Sequence, residues 1–471
     1  MSLTNRQAVT LCLALSVCGL LAVPTNFPGL DGDARLTLAV FVLATCAWIG
    51  TPVDDTYVAL GAGLALAVTG VVSADTLFGT LGDPTVWLLI CAFVLAAAVA
   101  RSGLAARAAA FLVGGARTVR QLAHLTTAAL VVSAFAIPAT SGRAALALPV
   151  FLALARVLAD HRRLVVALAL LFPTVILLSA VATLIGAGAH LITVSVLWET
   201  TGERIGFPQW LLLGLPLAVV SSHLAAEVVL LTTTRRADRR VPVRVTAADI
   251  EEHGGQRVTG PLSSVETRCL GLLASVVALW CSEPLHQVPP ALVALIGAVV
   301  VTAPVLGTIR LKEALGTIPW SLLLFMAATM AMGVALSDSG AADWLVSGLP
   351  GDATVPAWAF LAVVVTVSAA AHLVLQSRSA RSSVLVPLVV ASAVACGVDP
   401  VAAALASTAA AGFCHTLPAS AKPVALFADV PDTPTYTPRD LLRLSAVLGP
   451  LTAALVLAFA LAVWPVLGVA P

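Results

Sequence analysis

Two stretches of the chain repeat one pattern, Ser141-Gly-Arg143-Ala-Ala-Leu-Ala-Leu-Pro149 and Ser379-Ala-Arg381-Ser-Ser-Val-Leu-Val-Pro387. Each reads Ser, small, Arg, two small residues, three apolar residues, Pro, and each sets an arginine in apolar sequence. An arginine at membrane depth costs about 2.5–3.5 kcal/mol on insertion scales, so one at the same point of two halves implies a use for both. A guanidinium presents paired N–H donors that match a carboxylate or another oxyanion. The repeat therefore predicts the two sides of one anion site.

The elements that must position those arginines are membrane helices. Of 471 residues 59% are apolar and only 10% charged, where soluble domains carry about a quarter charged residues. Apolar runs recur along the whole length, so a cleaved leader does not account for them and the first, Ala8–Val23, is kept as a helix. A net charge of +1, without a clustered basic face, excludes a nucleic-acid partner. The eight cysteines stand singly, without metal-ligand spacing, and read as small core residues.

Eleven crossings are predicted, at Ala8–Val23, Leu36–Ile49, Tyr57–Val72, Thr85–Ala100, Leu164–Leu197, Trp210–Leu231, Leu270–Trp280, Ala291–Val305, Trp320–Leu336, Ala402–Phe427 and Leu441–Val463. Two further apolar segments, 126–157 and 358–389, are interrupted by Pro138-Ala-Thr-Ser-Gly-Arg143 and Gln376-Ser-Arg-Ser-Ala-Arg381. Their arms are too short to span, so each reads as a re-entrant helical hairpin with an arginine at its tip. With the first hairpin entering and leaving on one side, Arg101, Arg107, Arg117, Arg120, Arg156, Arg162, Arg163 and the cluster Arg235 to Arg244 all fall on that side. Cytoplasmic loops collect such residues. This gives a plasma-membrane, multi-pass protein with a cytoplasmic N-terminus and an extracytoplasmic C-terminus.

The second hairpin then enters from the opposite face. The fold class is an all-α polytopic membrane protein built as an inverted repeat: residues 1–234, a cytoplasmic linker 235–268, and an inverted half 269–471. Paired inverted halves with broken helices at the midplane are the usual architecture of secondary transporters. Each half has a second break, Thr183-Leu-Ile-Gly-Ala-Gly-Ala-His190 and Thr416-Leu-Pro-Ala-Ser-Ala-Lys-Pro423, both opening Thr-Leu. Freed N–H groups at such breaks suit an anion and freed carbonyls suit a cation.

On these residues the chain resembles the divalent anion/sodium symporters, carriers of dicarboxylates, citrate and sulfate. In that family each hairpin tip carries Ser-Asn-Thr shortly before a Leu-Pro; here the same offsets give Ala139-Thr140-Ser141 before Leu148-Pro149, and Ser377-Arg378-Ser379 before Val386-Pro387. The hydroxyls are kept and both asparagines are lost. The family's Thr-Pro-Pro-Asn in the breaks becomes Ala187-Gly-Ala-His190 and Ala421-Lys-Pro-Val424. The resemblance implies a substrate site at the two tips and two breaks, two sodium ions, and a homodimer.

The departures have a direction. Arg143, Arg378, Arg381 and Lys422, with His190 as a titratable group, place positive charge where the resemblance would place sodium, which disfavours strict sodium coupling. The expected substrate site comprises Thr140, Ser141, Gly142, Arg143, Gly188, His190, Ser377, Arg378, Ser379, Arg381 and Lys422. Alternatives are capping of hairpin carbonyls for Arg143 and Arg381, the cavity mouth for Arg378 or Lys422, and a packed ring for His190. Asp54 and Asp55 read as solvated at a helix end. His223 and Glu227, four apart on one helix face, allow a proton site but read first as an interfacial acid or an interhelical pair.

The expected function is secondary transport of a small polyvalent anion, most simply a di- or tricarboxylate, by alternating access with exchange or proton coupling. No cofactor or metal is expected, and the partners are the anion, the lipid bilayer and a second copy. The competing readings are an inorganic oxyanion carrier (sulfate, phosphate or arsenite) and a polytopic enzyme acting on an anionic lipid phosphate. The enzyme reading lacks a carboxylate cluster with metal-ligand spacing beyond Asp54-Asp55 and Glu251-Glu252.

Overall fold

The computed structural model describes Gly19 and residues 29–254, 256–347 and 355–470; the expected first crossing, Ala8–Val23, lies outside them apart from Gly19. Among the described residues the regular structure is helical, and nine helices are long and apolar enough to cross a membrane, with six shorter apolar helices of 10–17 residues beside them. With no water to satisfy the backbone, helices that bond internally are what such apolar runs must form.

The helices fall into two series in the same order. The first comprises α1 (Gly32–Gly50), α2 (Asp55–Val68), α3 (Ala74–Ser102), α4 (Leu104–Val113), α5 (Val119–Phe135), α6 (Thr140–Val157), α7 (Arg162–Ala182), α8 (Gly188–Thr201) and α9 (Phe207–Thr233). After the linker helix α10 (Ala247–Gly254), the second comprises α11 (Ser264–Cys281), α12 (Pro290–Thr302), α13 (Leu311–Gly316), α14 (Trp320–Asp338), α15 (Ala341–Ser347), α16 (Ala357–Leu373), α17 (Arg378–Ala395), α18 (Pro400–Ala410), α19 (Lys422–Ala428) and α20 (Pro438–Val463). Packing follows the same symmetry: α2 lies on α14, and α12 lies on α3.

Local chemistry sets the starts. Asp83 accepts from the Thr85 N–H at 2.7 Å with Pro84 opening the long part of α3, and Asp399 accepts from Val401 and Ala402 with Pro400 opening α18. These are N-caps followed by proline where the missing N–H does no harm. Ser263 and Glu266 form a capping box at α11, and Thr437 and Asp440 another at α20.

Both helix–turn–helix pairs, α5 with α6 and α16 with α17, are present, and each second arm carries an internal proline, Pro149 or Pro387. The breaks after α7 and α18 are near copies. Thr183 (φ −131, ψ 151) and Ala187 (φ −156, ψ 147) match Leu417 (φ −127, ψ 150) and Ala421 (φ −157, ψ 145). The shared Thr-Leu is thus a coincidence one residue out of register, because Thr183 corresponds to Leu417 and not to Thr416. Chain symmetry is fixed here by backbone conformation and not by residue identity.

The hairpins pack crosswise. The second arm of each pair meets the helix beyond the other half's break: α17 lies on α8, and α6 lies on α19. Phe151 of α6, Phe172 of α7 and Phe427 of α19 join in one aromatic cluster, with ring centroids 5.4–5.6 Å apart.

Candidate functional site

Both tips and both breaks open onto one cavity of about 680 Å³. Of the residues expected at the site, Thr140, Ser141, Gly142, Gly188, Ser377, Arg378, Ser379, Arg381 and Lys422 line it, while Arg143 and His190 do not. The cavity also reaches Ala96, Ala97 and Ala100 of α3, just short of Arg101.

Three helix N-termini end at this space. The first-turn residues Thr140 to Gly142 of α6, Gly188 and Ala189 of α8, and Arg378 and Ser379 of α17 are all lining residues. Ala139 and Ala187, which precede α6 and α8, have no capping side chain; Ser377 accepts from Ala380 N–H at 3.3 Å. Uncapped first-turn N–H groups with the positive end of the helix dipole behind them favour an anion. Ala139 has φ 65, a left-handed value rare for a residue with a Cβ, which turns the chain into α6.

The repeated arginines are clamps. Arg143 is 1% exposed; its guanidinium donates to Ser133 Oγ (3.1 Å), Ile176 O (3.0 Å), Leu130 O (2.5 Å) and Ser179 Oγ (2.7 Å). It ties α5, α6 and α7 together and faces away from the cavity, so the expectation of substrate contact gives way to the capping alternative. Arg381 makes the matching bonds in the second half, to Leu375 O (2.9 Å), Gln376 O (3.4 Å) and Ala411 O (3.0 Å). Its Nε has no partner and the residue borders the cavity.

Arg378 differs. Its Nη2 donates to His190 Nε2 at 3.2 Å, its Nη1 reaches Leu177 O at 3.5 Å, and its Nε is buried without a partner. Gly412 makes the room: a Cβ there would lie 3.0 Å from Arg378 Nη2 and 2.8 Å from Ala409 O. Since a guanidinium only donates, His190 Nε2 accepts, and Nδ1 carries the ring proton toward Thr183 O at 3.0 Å. The ring is fully buried and stacks on Trp210, with centroids 4.9 Å apart. His190 therefore stands behind the cavity wall as a neutral acceptor that holds Arg378, which corrects its expected place among the lining residues.

Lys422 opens α19 as an exposed lining residue, without a hydrogen-bond partner among the described residues. Asp55, read from sequence as solvated, lines the same cavity beside the Ser377 hydroxyl. No local signal marks it, because an Asp pair before an apolar run reads as a helix cap, and Asp54 does cap α2 through Thr56 N–H at 2.9 Å. Away from the cavity, His223 and Glu227 meet α5: His124 bridges His223 Nδ1 (2.8 Å) and Glu227 Oε1 (2.6 Å), with Arg120 at 2.5 Å from the same oxygen.

Four carbonyls at the first break accept from protein donors. Ile176 O accepts from Arg143, Leu177 O from Arg378, Val181 O from Trp210 Nε1 at 3.0 Å, and Thr183 O from His190. Gly214 lets α9 approach this point, since a Cβ there would lie 2.1 Å from Val181 O.

A "Membrane protein" of Cupriavidus necator is 24% identical over 396 residues, covering 79% of this chain and 75% of that one. The YdaH transporter of Alcanivorax borkumensis superposes with a TM-score of 0.54 at 17% identity, covering 93% of this chain and 99% of that structure. MtrF of Neisseria gonorrhoeae, described within a class of antimetabolite efflux pumps, gives 0.56 at 13% identity, covering 95% and 97%. At these identities the two structures establish a shared fold. A family model described as citrate transporter (CitMHS) matches residues 42–410. With most of its length inside that match, the chain belongs to the citrate transporter family: it is a multi-pass membrane protein that transports a small anion, and not an enzyme.

Proposed function

We propose that the chain is a secondary carrier of a di- or tricarboxylate, with the cavity as its substrate site and the arginine-rich face as the side onto which that cavity opens here. One observation carries the reading: Arg378, with free donor capacity, and Lys422 share a cavity with three helix N-termini. Arg378 pairs with one carboxylate, Lys422 attracts a second, and the hydroxyls of Thr140, Ser141, Ser377 and Ser379 with first-turn N–H groups complete the cradle. Arg143 and Arg381 hold the hairpins rigid behind it.

The crosswise packing supports alternating access. The two hairpins and the two helices beyond the breaks form a unit that moves against the scaffold of α1 to α3 and α11 to α14, with the hairpins re-entrant from opposite faces, the N-terminus cytoplasmic and the C-terminus extracytoplasmic. A homodimer through the scaffold belongs to this reading. Strict sodium coupling fits it less well, because four carbonyls at the first break already accept from protein donors and fixed positive charge shares the cavity.

The test is uptake into proteoliposomes of labelled citrate, succinate and sulfate, each with and without sodium and with unlabelled anion inside. Sodium-independent uptake of citrate or succinate is the expected result. Preference for sulfate would move the substrate to the inorganic oxyanions, and strict sodium dependence would overturn the coupling reading.

A further inference from the structure

Asp55 is an acid inside an anion cavity. It opens α2 and borders two spaces: the central cavity, and an adjoining one of about 240 Å³ lined by Trp48, the exposed loop Thr51 to Val53, and Leu375 to Ser377. With Gln376 and Ser377 it forms the partition between them. Trp48 Nε1 donates to the Asp55 backbone carbonyl at 3.1 Å and Thr56 Oγ1 donates to Ser321 O at 3.1 Å, so the backbone at the start of α2 is held from α1 and α14.

Ser377, Arg378 and Arg381 of the second hairpin, Cys414 at the second break and Lys422 of α19 line the same cavity as Asp55, and Asp54 precedes it on its own chain. Among the described residues no cation lies within ion-pair distance of Asp55. An ionised Asp55 therefore repels a polyanion that enters the cavity and also competes for Lys422; a protonated Asp55 does neither. Binding of the anion and of one proton are then linked, each raising the affinity for the other by the same factor. The same argument excludes His190, whose acceptor nitrogen is occupied by Arg378.

We infer that Asp55 is the coupling-proton site of this carrier. A proton reaches its carboxylate from water in the side cavity, separately from the anion's own route, and leaves when the unit reopens on the other face. The inference rests on the proposed transport function and adds its coupling ion.

The test uses the full-length protein in sodium-free proteoliposomes with labelled citrate, at pH values where citrate is fully ionised, and a pH indicator dye in the lumen. Wild type is expected to acidify the lumen as citrate enters, with a citrate KM that rises toward tenfold per pH unit. Asp55→Asn is expected to lose both the acidification and the pH dependence of KM. Asp55→Glu keeps the acidification, and Asp54→Asn behaves as wild type. Acidification in Asp55→Asn equal to wild type, or citrate entry into wild-type vesicles without acidification, overturns the inference while leaving the transport function intact. Loss in Asp55→Glu as well as Asp55→Asn, in monodisperse protein, assigns Asp55 a structural role and overturns it too. Absence of citrate counterflow in wild type is the separate failure of the substrate reading, and this inference falls with it.

Discussion

The guanidinium of Arg378, on the second hairpin, donates to Nε2 of His190, beyond the first break, at 3.2 Å. It is a contact between the two halves at the floor of the cavity. On the proposed substrate pose, removing the cation leaves a carboxylate without its partner, a loss of about 2–5 kcal/mol for a buried charge pair. Arg378→Ala should lower kcat/KM for citrate uptake by roughly two orders of magnitude. Arg378→Lys, a point charge without the paired donors, should fall between. His190→Ala should raise KM while His190→Gln, which can still accept, should recover part of it. Transport kinetics in proteoliposomes check each value.

Gly412 tests the same arrangement without touching a charge. The methyl of Gly412→Ala must displace Arg378 or the Ala409 carbonyl, and overpacking of this kind costs about 1–3 kcal/mol. The variant should fold with a lowered thermal midpoint in detergent and show a raised citrate KM.

Arg143 should behave in the opposite way. Arg143→Met takes the side-chain donor from the Ile176 carbonyl and the Ser179 hydroxyl, while Leu130 O keeps the Ser133 hydroxyl at 2.7 Å, at about 1–3 kcal/mol for each group left buried and unpaired. Large thermal destabilisation is expected, with a KM in the surviving protein close to wild type. A normal midpoint with a strongly raised KM would return Arg143 to the substrate.

The linker gives a pH prediction outside the membrane. Glu251 accepts from Thr259 Oγ1 (2.5 Å) and from the Val258 and Thr259 N–H groups (2.9 and 2.7 Å), and these bonds, the hydroxyl first, hold its carboxyl below the usual glutamate range. A depressed folded value means stability that is present above the unfolded value and is lost as pH falls through the folded one. Protection of residues 246–260 from hydrogen exchange should therefore fall on acidification, and Glu251→Gln should remove that dependence. Arg107 anchors the linker's end through the buried pair with Glu266 (3.1 Å) and the carbonyls of residues 259–261. Arg107→Ala should expose that segment to protease, with a loss of about 3–5 kcal/mol.

Much of the architecture was readable before any coordinates, because apolar run length and the Pro-containing interruptions at 138–143 and 376–381 are local signals. The division of labour among the arginines was not. Arg143 and Arg381 recur because both halves need the same clamp, so their recurrence marked a shared scaffold. Arg378 has no counterpart at Thr140 and carries the free charge. Asp55 reads as a solvated helix-end acid because Ser377 and Lys422, which share its cavity, lie far along the chain. The shared Thr-Leu is a sequence likeness without a backbone counterpart, since the backbone pairs Thr183 with Leu417 and Ala187 with Ala421.

The crosswise packing of hairpins and breaks also bears on how such a chain could have arisen. Two copies of a single ancestral half, inserted in opposite senses, would rebuild the outline of the cavity. Two first halves would present threonine at both tips and glycine after both breaks, as Thr140 and Gly188 do; two second halves would present paired arginines and paired lysines, as Arg378 and Lys422 do. Only the fused, diverged chain offers one of each, so ligand preference can change through one half while the other keeps the frame.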